Sequence, residues 1–137
     1  MISWLERHRY LTLTLTVLIA IEIFWFSSLP GIMPLLEEGF VFKWSYVYHF
    51  TIFFLLNFFL IVSWSNNVKS RYVRNAIIFS VLYAIIDEVH QIFVPLRTPS
   101  IGDIFIDSAG IFLSTIVYMK VKNKNKREMR PSRRKRR

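Results

Sequence analysis

The sequence predicts an all-α polytopic membrane protein: a bundle of four transmembrane helices, with both termini cytoplasmic and a disordered basic C-terminal tail. Of the 137 residues, 53% are hydrophobic and 17% are aromatic, which is more apolar side chain than a soluble domain of this size can easily bury. Four apolar segments each have the roughly 17–25 residues that a spanning helix needs. The distribution of basic residues also agrees with four crossings.

The four segments are residues 10–26, 46–64, 75–94 and 101–119. A segment in hydrocarbon must satisfy its backbone hydrogen bonds internally, so each is predicted to be a helix. The third connection reads PLRTPS, whose two prolines stop any helix passing through it. The first segment could also be a signal peptide, but Glu22 interrupts it and SSLPG is a poor cleavage site, so retention is favoured. Residues 1–119 therefore form one predicted domain.

Basic residues are concentrated at the carboxyl end. Residues 120–137 hold eleven Lys or Arg and one acid, and we expect disorder there after, at most, a short helical extension. The amino end, the second loop and this tail together carry sixteen of the eighteen bases. Four spans place these regions on one side, which predicts cytoplasmic termini in the cell membrane. We expect the tail to contact anionic lipid and not nucleic acid.

Ionisable side chains in or near the spans all fall in the outer half of the predicted bilayer. They are Glu22, His49, Asp87, Glu88, His90, Asp103 and Asp107, with Arg97 in the outer loop. A charge in hydrocarbon costs at least about 2.5 kcal/mol, so the five carboxylates cannot all be ionised close together without cations. Some are expected to be protonated, hydrated, or bound to a metal or cationic ligand.

The helical phase of the polar residues predicts that they face one another. The fourth segment has a polar and small-residue stripe of Ser100, Asp103, Asp107, Gly110 and Ser114. The third has Ser80, Ala84, Asp87, Gln91 and Val94, and the second has His49, Phe53 and Asn57. Small residues allow close helix approach. We therefore predict that the stripes turn inward around one polar site open to the outer surface.

Most of these residues also have a structural explanation. Asp103 can be a helix N-cap or a first-turn acid. His49 can be an interfacial histidine bonded to a backbone carbonyl, and Asp87 can fix helix register together with its neighbouring histidine. Glu22 can be a protonated lipid-side residue, and Arg97 can be an interfacial anchor. These explanations do not account for the shared depth of the groups.

The stretch DEVHQIFVPLRTPSIGDIFIDSAGIFLST resembles the VanZ-like family of small bacterial membrane proteins. Positions matching the family pattern are Glu88, Gln91, Arg97, Asp103, Asp107 and Gly110, and SSLP and the HF of His49–Phe50 also fit. The resemblance covers the four segments and not the tail. The chain departs from the family at Ser45 and Tyr46, where members often carry Asp-Lys. That departure puts the local charge balance in doubt.

The resemblance implies a role in the cell envelope, because the founding member is linked to low-level teicoplanin resistance. We accordingly expect a site that binds or modifies a cell-wall precursor, a lipid head group or a glycopeptide. The expected ligand-binding residues are Glu88, Gln91, Arg97, Asp103, Asp107, His49 and Glu22. Arg97 can pair with a phosphate or carboxylate, and the acids can accept hydrogen bonds from sugars or amines.

Two other functions remain open from the sequence. An intramembrane hydrolase or transferase could use Asp87, Glu88, His90 or Asp107 as catalytic groups. The chain contains neither HExxH nor GxSxG, no paired-histidine metal motif and no cysteine, so we assign it no metal site and no particular cofactor. A small transporter is the other alternative, although an apolar inner half disfavours a continuous path.

Overall fold

A computed structural model describes residues 2–30, 38–64 and 70–128, and its regular structure is entirely helical. The helices in chain order are α1 (Ile2–Arg7), α2 (Arg9–Ser27), α3 (Glu38–Trp64), α4 (Ser70–Gln91) and α5 (Ile101–Glu128). The prediction of an all-α protein is confirmed over these residues, and the four predicted segments correspond to α2 to α5.

Helix boundaries differ from the predicted ones mainly because polar residues extend the helices. The short helix α1 was not predicted. Helix α3 starts at Glu38, well before the predicted residue 46. Helix α4 begins at Ser70 and ends at Gln91, whereas the prediction was 75–94. The earlier end has a clear cause, since Pro95 disfavours helical backbone in the residue before it.

Helix α5 continues to Glu128, so the first part of the predicted tail is ordered. Lys and Arg are good helix formers, and no glycine or proline follows Gly110 before Pro131. The side chain of Lys122 also bonds to Glu6 of α1. The disorder predicted for residues 129–137 falls outside the described residues.

The long helices alternate in direction. His49 of α3 contacts Asp107 of α5, and further along both helices Asn57 contacts Ser114. Helices α3 and α5 therefore run parallel. Helices α2 and α4 are also parallel to each other, since contacts join Ala20 to Tyr83 and Ser28 to His90. Helix α3 contacts all four other helices.

Within the part of the chain that the structure describes, three helices are long and apolar enough to cross a membrane: Arg9–Ser27, Trp44–Trp64 within α3, and Ile101–Asn125 within α5. Helix α4 is not among them, so its crossing stays a prediction. Large apolar side chains are exposed along the helices, including Trp25, Phe79 and Phe93 at 65%, 63% and 78%. An extensive exposed apolar surface is what a lipid-facing protein presents.

Helix α5 packs tightly against α3 at Gly110. A Cβ atom at this position would lie 2.4 Å from the backbone oxygen of Phe50 and 3.2 Å from the backbone nitrogen of Phe54. Only glycine allows the α5 backbone to approach α3 so closely. The aspartates one and two turns before Gly110 are consequently held directly against α3.

Candidate functional site

Six polar side chains lie buried together at one end of the bundle, and we call them the polar cluster. They are His49 of α3, Asp87, Glu88 and Gln91 of α4, and Asp103 and Asp107 of α5. Their exposed fractions run from 0% for Asp107 to 8% for Asp103. The inward orientation of the three polar stripes is thus confirmed. The helix directions bring His49 in the first half of α3, the end of α4 and the start of α5 to the same level.

His49 and Asp107 form a direct buried pair. The Nδ1 atom of His49 lies 3.1 Å from Oδ1 of Asp107. This hydrogen bond holds the imidazole in one orientation and leaves Nε2 for another partner. The second carboxylate oxygen of Asp107, Oδ2, has no hydrogen-bond partner among the described residues.

The side-chain amide of Gln91 contacts both adjacent acids at the end of α4. Its Nε2 donates to Oδ2 of Asp87 at 3.1 Å and lies 3.5 Å from Oε1 of Glu88. The other oxygen of Glu88, Oε2, accepts a 2.8 Å hydrogen bond from the backbone N–H of Ser100. Glu88 therefore joins α4 to the start of α5, and one of its oxygens has only a long contact.

Ser100, and not Asp103, caps the amino end of α5. The Ser100 hydroxyl oxygen accepts a hydrogen bond from the backbone N–H of Gly102 at 3.1 Å, as an N-cap side chain does. Asp103 lies in the first helical turn. Its Oδ1 atom is buried without a hydrogen-bond partner among the described residues. Because Ser100 is the cap, capping does not explain the Asp103 side chain. Its buried, unsatisfied oxygen costs about 1–3 kcal/mol.

Three members of the polar cluster lie close enough together that they could hold a metal ion. One ligand atom each from His49, Glu88 and Asp103 can be chosen so that all three lie within 4.8 Å of one another. All three residues are buried. The sequence predicted that the three residues belong to one polar site, but not that they form a possible metal-binding trio, because they lie on three different helices.

Three residues expected at the site are not members of the polar cluster. His90 contacts the hydroxyl of Ser28 at 2.9 Å and the ring of Phe24. Arg97 donates to the backbone oxygens of Leu29 at 3.1 Å and Phe26 at 2.7 Å, which lie near the end of α2. Glu22 is exposed. His90 and Arg97 thus fasten the end of α4 and the following loop to α2.

A second polar group lies deeper in the bundle, around Asn57. Its Nδ2 donates to the backbone oxygen of Ile111 at 3.0 Å, to Ser114 Oγ at 2.7 Å and to Thr115 Oγ1 at 3.0 Å. The Ser80 hydroxyl donates to Asn57 Oδ1 at 3.3 Å. These bonds join α3, α4 and α5. The next layer is apolar and includes Leu60, Ile61, Ala76 and Tyr118.

Comparison with known proteins agrees with the resemblance read from the motifs. The family model VanZ/LLP1 matches residues 5–122, which is most of the chain. No match was found among curated proteins or among solved structures. The family and the three span-length apolar helices together indicate a membrane protein. The chain belongs to the VanZ/LLP1 family.

Proposed function

We propose that the protein crosses the cell membrane four times, with both termini cytoplasmic. Helices α3 and α5 are span-length and run parallel, so the chain between them has to return across the same thickness. Helix α4 supplies that return, since its 22 residues are about 33 Å long. Charged and polar residues at both ends of α4 lower its mean hydropathy, but the helix remains long enough to cross a membrane.

Charge supports the orientation. Glu6 of α1 bonds to Tyr118 and Lys122 of α5, so α1 and the later part of α5 lie at one end of the bundle. Most of the basic residues belong to α1 and α2, to residues 65–74 or to residues 120–137. The positive-inside rule makes this end of the bundle cytoplasmic, where the basic residues of α5 and beyond can contact anionic lipid. The polar cluster then lies in the outer half of the bilayer.

We propose further that the polar cluster binds a polar component of the cell envelope: a cell-wall precursor, a lipid head group or a glycopeptide such as teicoplanin. The observation that carries this proposal is the pair of buried oxygens, Asp103 Oδ1 and Asp107 Oδ2, that have no donor among the described residues. Amines and hydroxyl groups of such ligands supply hydrogen-bond donors. Arg97, half-buried beside the cluster, adds a positive charge for a phosphate or carboxylate.

Single cysteines test the topology, because the native chain has none. Thr98→Cys should react with a membrane-impermeant maleimide in intact cells. Asn66→Cys, between α3 and α4, and Asn123→Cys, near the end of α5, should react only after permeabilisation. Labelling of Asn66→Cys and Thr98→Cys from the same side would disprove the crossing by α4. Labelling of both Asn66→Cys and Asn123→Cys from outside, with Thr98→Cys protected, would reverse the orientation.

Ligand binding is tested with the full chain in nanodiscs of phosphatidylglycerol and phosphatidylethanolamine. Teicoplanin and a lipid-linked cell-wall precursor serve as probes, and teicoplanin susceptibility of expressing cells is measured in parallel. Glu88→Ala, Asp107→Ala and Arg97→Ala should abolish binding and any resistance at unchanged membrane level. Glu128→Gln removes a carboxylate far from the cluster and serves as the control. Full retention by all three variants would rule out this site.

A second candidate function is an intramembrane hydrolase or transferase, and the His49–Asp107 pair favours it. A histidine oriented by a carboxylate is a common general base. Turnover of the probe by the wild-type protein, lost in His49→Gln, would identify an enzyme. Transport is less favoured, because the apolar layer containing Leu60, Ile61 and Tyr118 interrupts the polar path beyond Asn57.

A further inference from the structure

We propose that His49, Glu88 and Asp103 form a binding site for one divalent transition-metal ion, with Zn²⁺ as the reference ion. Their ligand atoms lie within 4.8 Å of one another. Metal–ligand bonds of about 2.0–2.2 Å place neighbouring ligands of a tetrahedral ion about 3.3–3.6 Å apart. Three atoms within 4.8 Å of one another lie at most about 2.8 Å from a common centre. A side-chain movement of less than an ångström therefore closes the trio around an ion.

The unpartnered oxygen of Asp103 indicates that something positive or hydrogen-bond donating belongs between these side chains. Asp103 is only 8% exposed and its Oδ1 has no partner among the described residues. Glu88 uses Oε2 for the Ser100 backbone, while Oε1 has only the 3.5 Å contact with Gln91. One oxygen of each acid is thus available, and a dication offsets the charge of both.

Asp107 orients the histidine of this site. Metal-binding histidines usually direct their second nitrogen at a carboxylate, which fixes the ring and raises its basicity as a ligand. The Nδ1 of His49 contacts Asp107 Oδ1 at 3.1 Å, which leaves Nε2 for the metal. Asp107 is accordingly a positioning residue and not a ligand.

The ligand types indicate the class of ion. One imidazole nitrogen and two carboxylates, without a thiolate, suit Zn²⁺, Mn²⁺ or Fe²⁺. Mg²⁺ and Ca²⁺ prefer sites made of oxygen ligands only. Three protein ligands leave a fourth position open, as in catalytic zinc sites. That position can take water or an oxygen of a phosphate or carboxylate group.

Metal binding is measured on the full chain in detergent, purified through a tag without histidines. After chelator treatment, calorimetric titration with Zn²⁺ should give one saturable site. His49→Gln, Glu88→Gln and Asp103→Asn should abolish it, and Asp107→Asn should weaken it about 10–100-fold. Asp87→Asn is the matched comparison, since it removes a buried acid outside the trio and should weaken binding less than about tenfold.

Absence of saturable binding, or equal loss in Asp87→Asn and Glu88→Gln, would overturn the assignment. If the trio variants aggregate, X-ray absorption of the Zn²⁺-loaded wild-type protein decides the question. One imidazole with oxygen ligands supports the site, and a spectrum without imidazole overturns it. The titration contains no envelope ligand, and probe binding can be repeated in chelator. Failure of the metal site and failure of the proposed function are therefore distinguishable.

Discussion

Replacing Gly110 by alanine should loosen the contact between α3 and α5 on which the polar cluster depends. The new Cβ would lie 2.4 Å from the backbone oxygen of Phe50 and 3.2 Å from the backbone nitrogen of Phe54. Both neighbours are backbone atoms of a helix, so neither can rotate away as a side chain would. The two helices must move apart.

The size of the effect follows from that distance. An ordinary contact begins at 3.4 Å, so the 2.4 Å separation requires a displacement of 3.4 − 2.4, about 1 Å. Overpacking of this kind costs about 1–3 kcal/mol. That range corresponds to a roughly 5–150-fold shift toward the unfolded state. Higher helix propensity of alanine offsets up to about 1 kcal/mol. Subtracting that offset leaves a net loss of up to about 2 kcal/mol.

Equilibrium unfolding in mixed micelles, followed by tryptophan fluorescence, measures this loss. Gly102→Ala is the matched control in the same helix, because its Cβ would meet the Ser100 side-chain oxygen at 3.1 Å and the Tyr46 hydroxyl at 3.5 Å. These are side-chain atoms that can shift by a few tenths of an ångström, so Gly102→Ala should cost less stability than Gly110→Ala while gaining the same helix propensity. Equal stability of Gly110→Ala and Gly102→Ala would refute the inferred close approach of the two helices.

Three further predictions concern contacts that hold the helices together. Asn57→Leu removes the amide donor that Ser114 and its neighbours share, so the free energy of unfolding should fall by about 1–2 kcal/mol in the same assay. Unchanged stability would contradict this prediction. Glu6→Gln weakens the contact with Lys122, so hydrogen exchange over residues 2–7 should quicken, at a cost of about 0.2–1 kcal/mol. Arg97→Gln removes two bonds to the end of α2, so amide hydrogen exchange at residues 26–29 should quicken; unaltered protection there would contradict the prediction.

Much of the fold was predictable because apolar length and charge are local properties of the sequence. The segment 10–26 coincides with α2 (Arg9–Ser27) to within one residue at each end. The helix α1 was missed because six residues are too few for a periodic pattern. Its existence depends on tertiary contacts, with Ile2 buried against the far end of α3 and Glu6 bonded to α5.

The inward faces of the helices were also predictable, since residues three and four apart share one face. His49, Asp87 and Asp107 are all buried as the stripes indicated. Partners across helices were not predictable from spacing. Asp87 was paired with His90 by proximity in sequence, whereas His90 contacts Ser28 and Asp87 contacts Gln91. A helical step of three places two side chains near each other, but burial decides which of them faces a neighbouring helix.

The candidate metal trio could not be predicted from the sequence without the fold. His49, Glu88 and Asp103 come from α3, α4 and the start of α5, and their sequence separation fits no local ligand motif. Their meeting requires that α3 and α5 run parallel, and that Gly110 lets the two backbones approach. Gly110→Ala should therefore weaken Zn²⁺ binding as well as stability, although it changes no ligand. A variant that loses stability and keeps full Zn²⁺ affinity would separate the packing contact from the site.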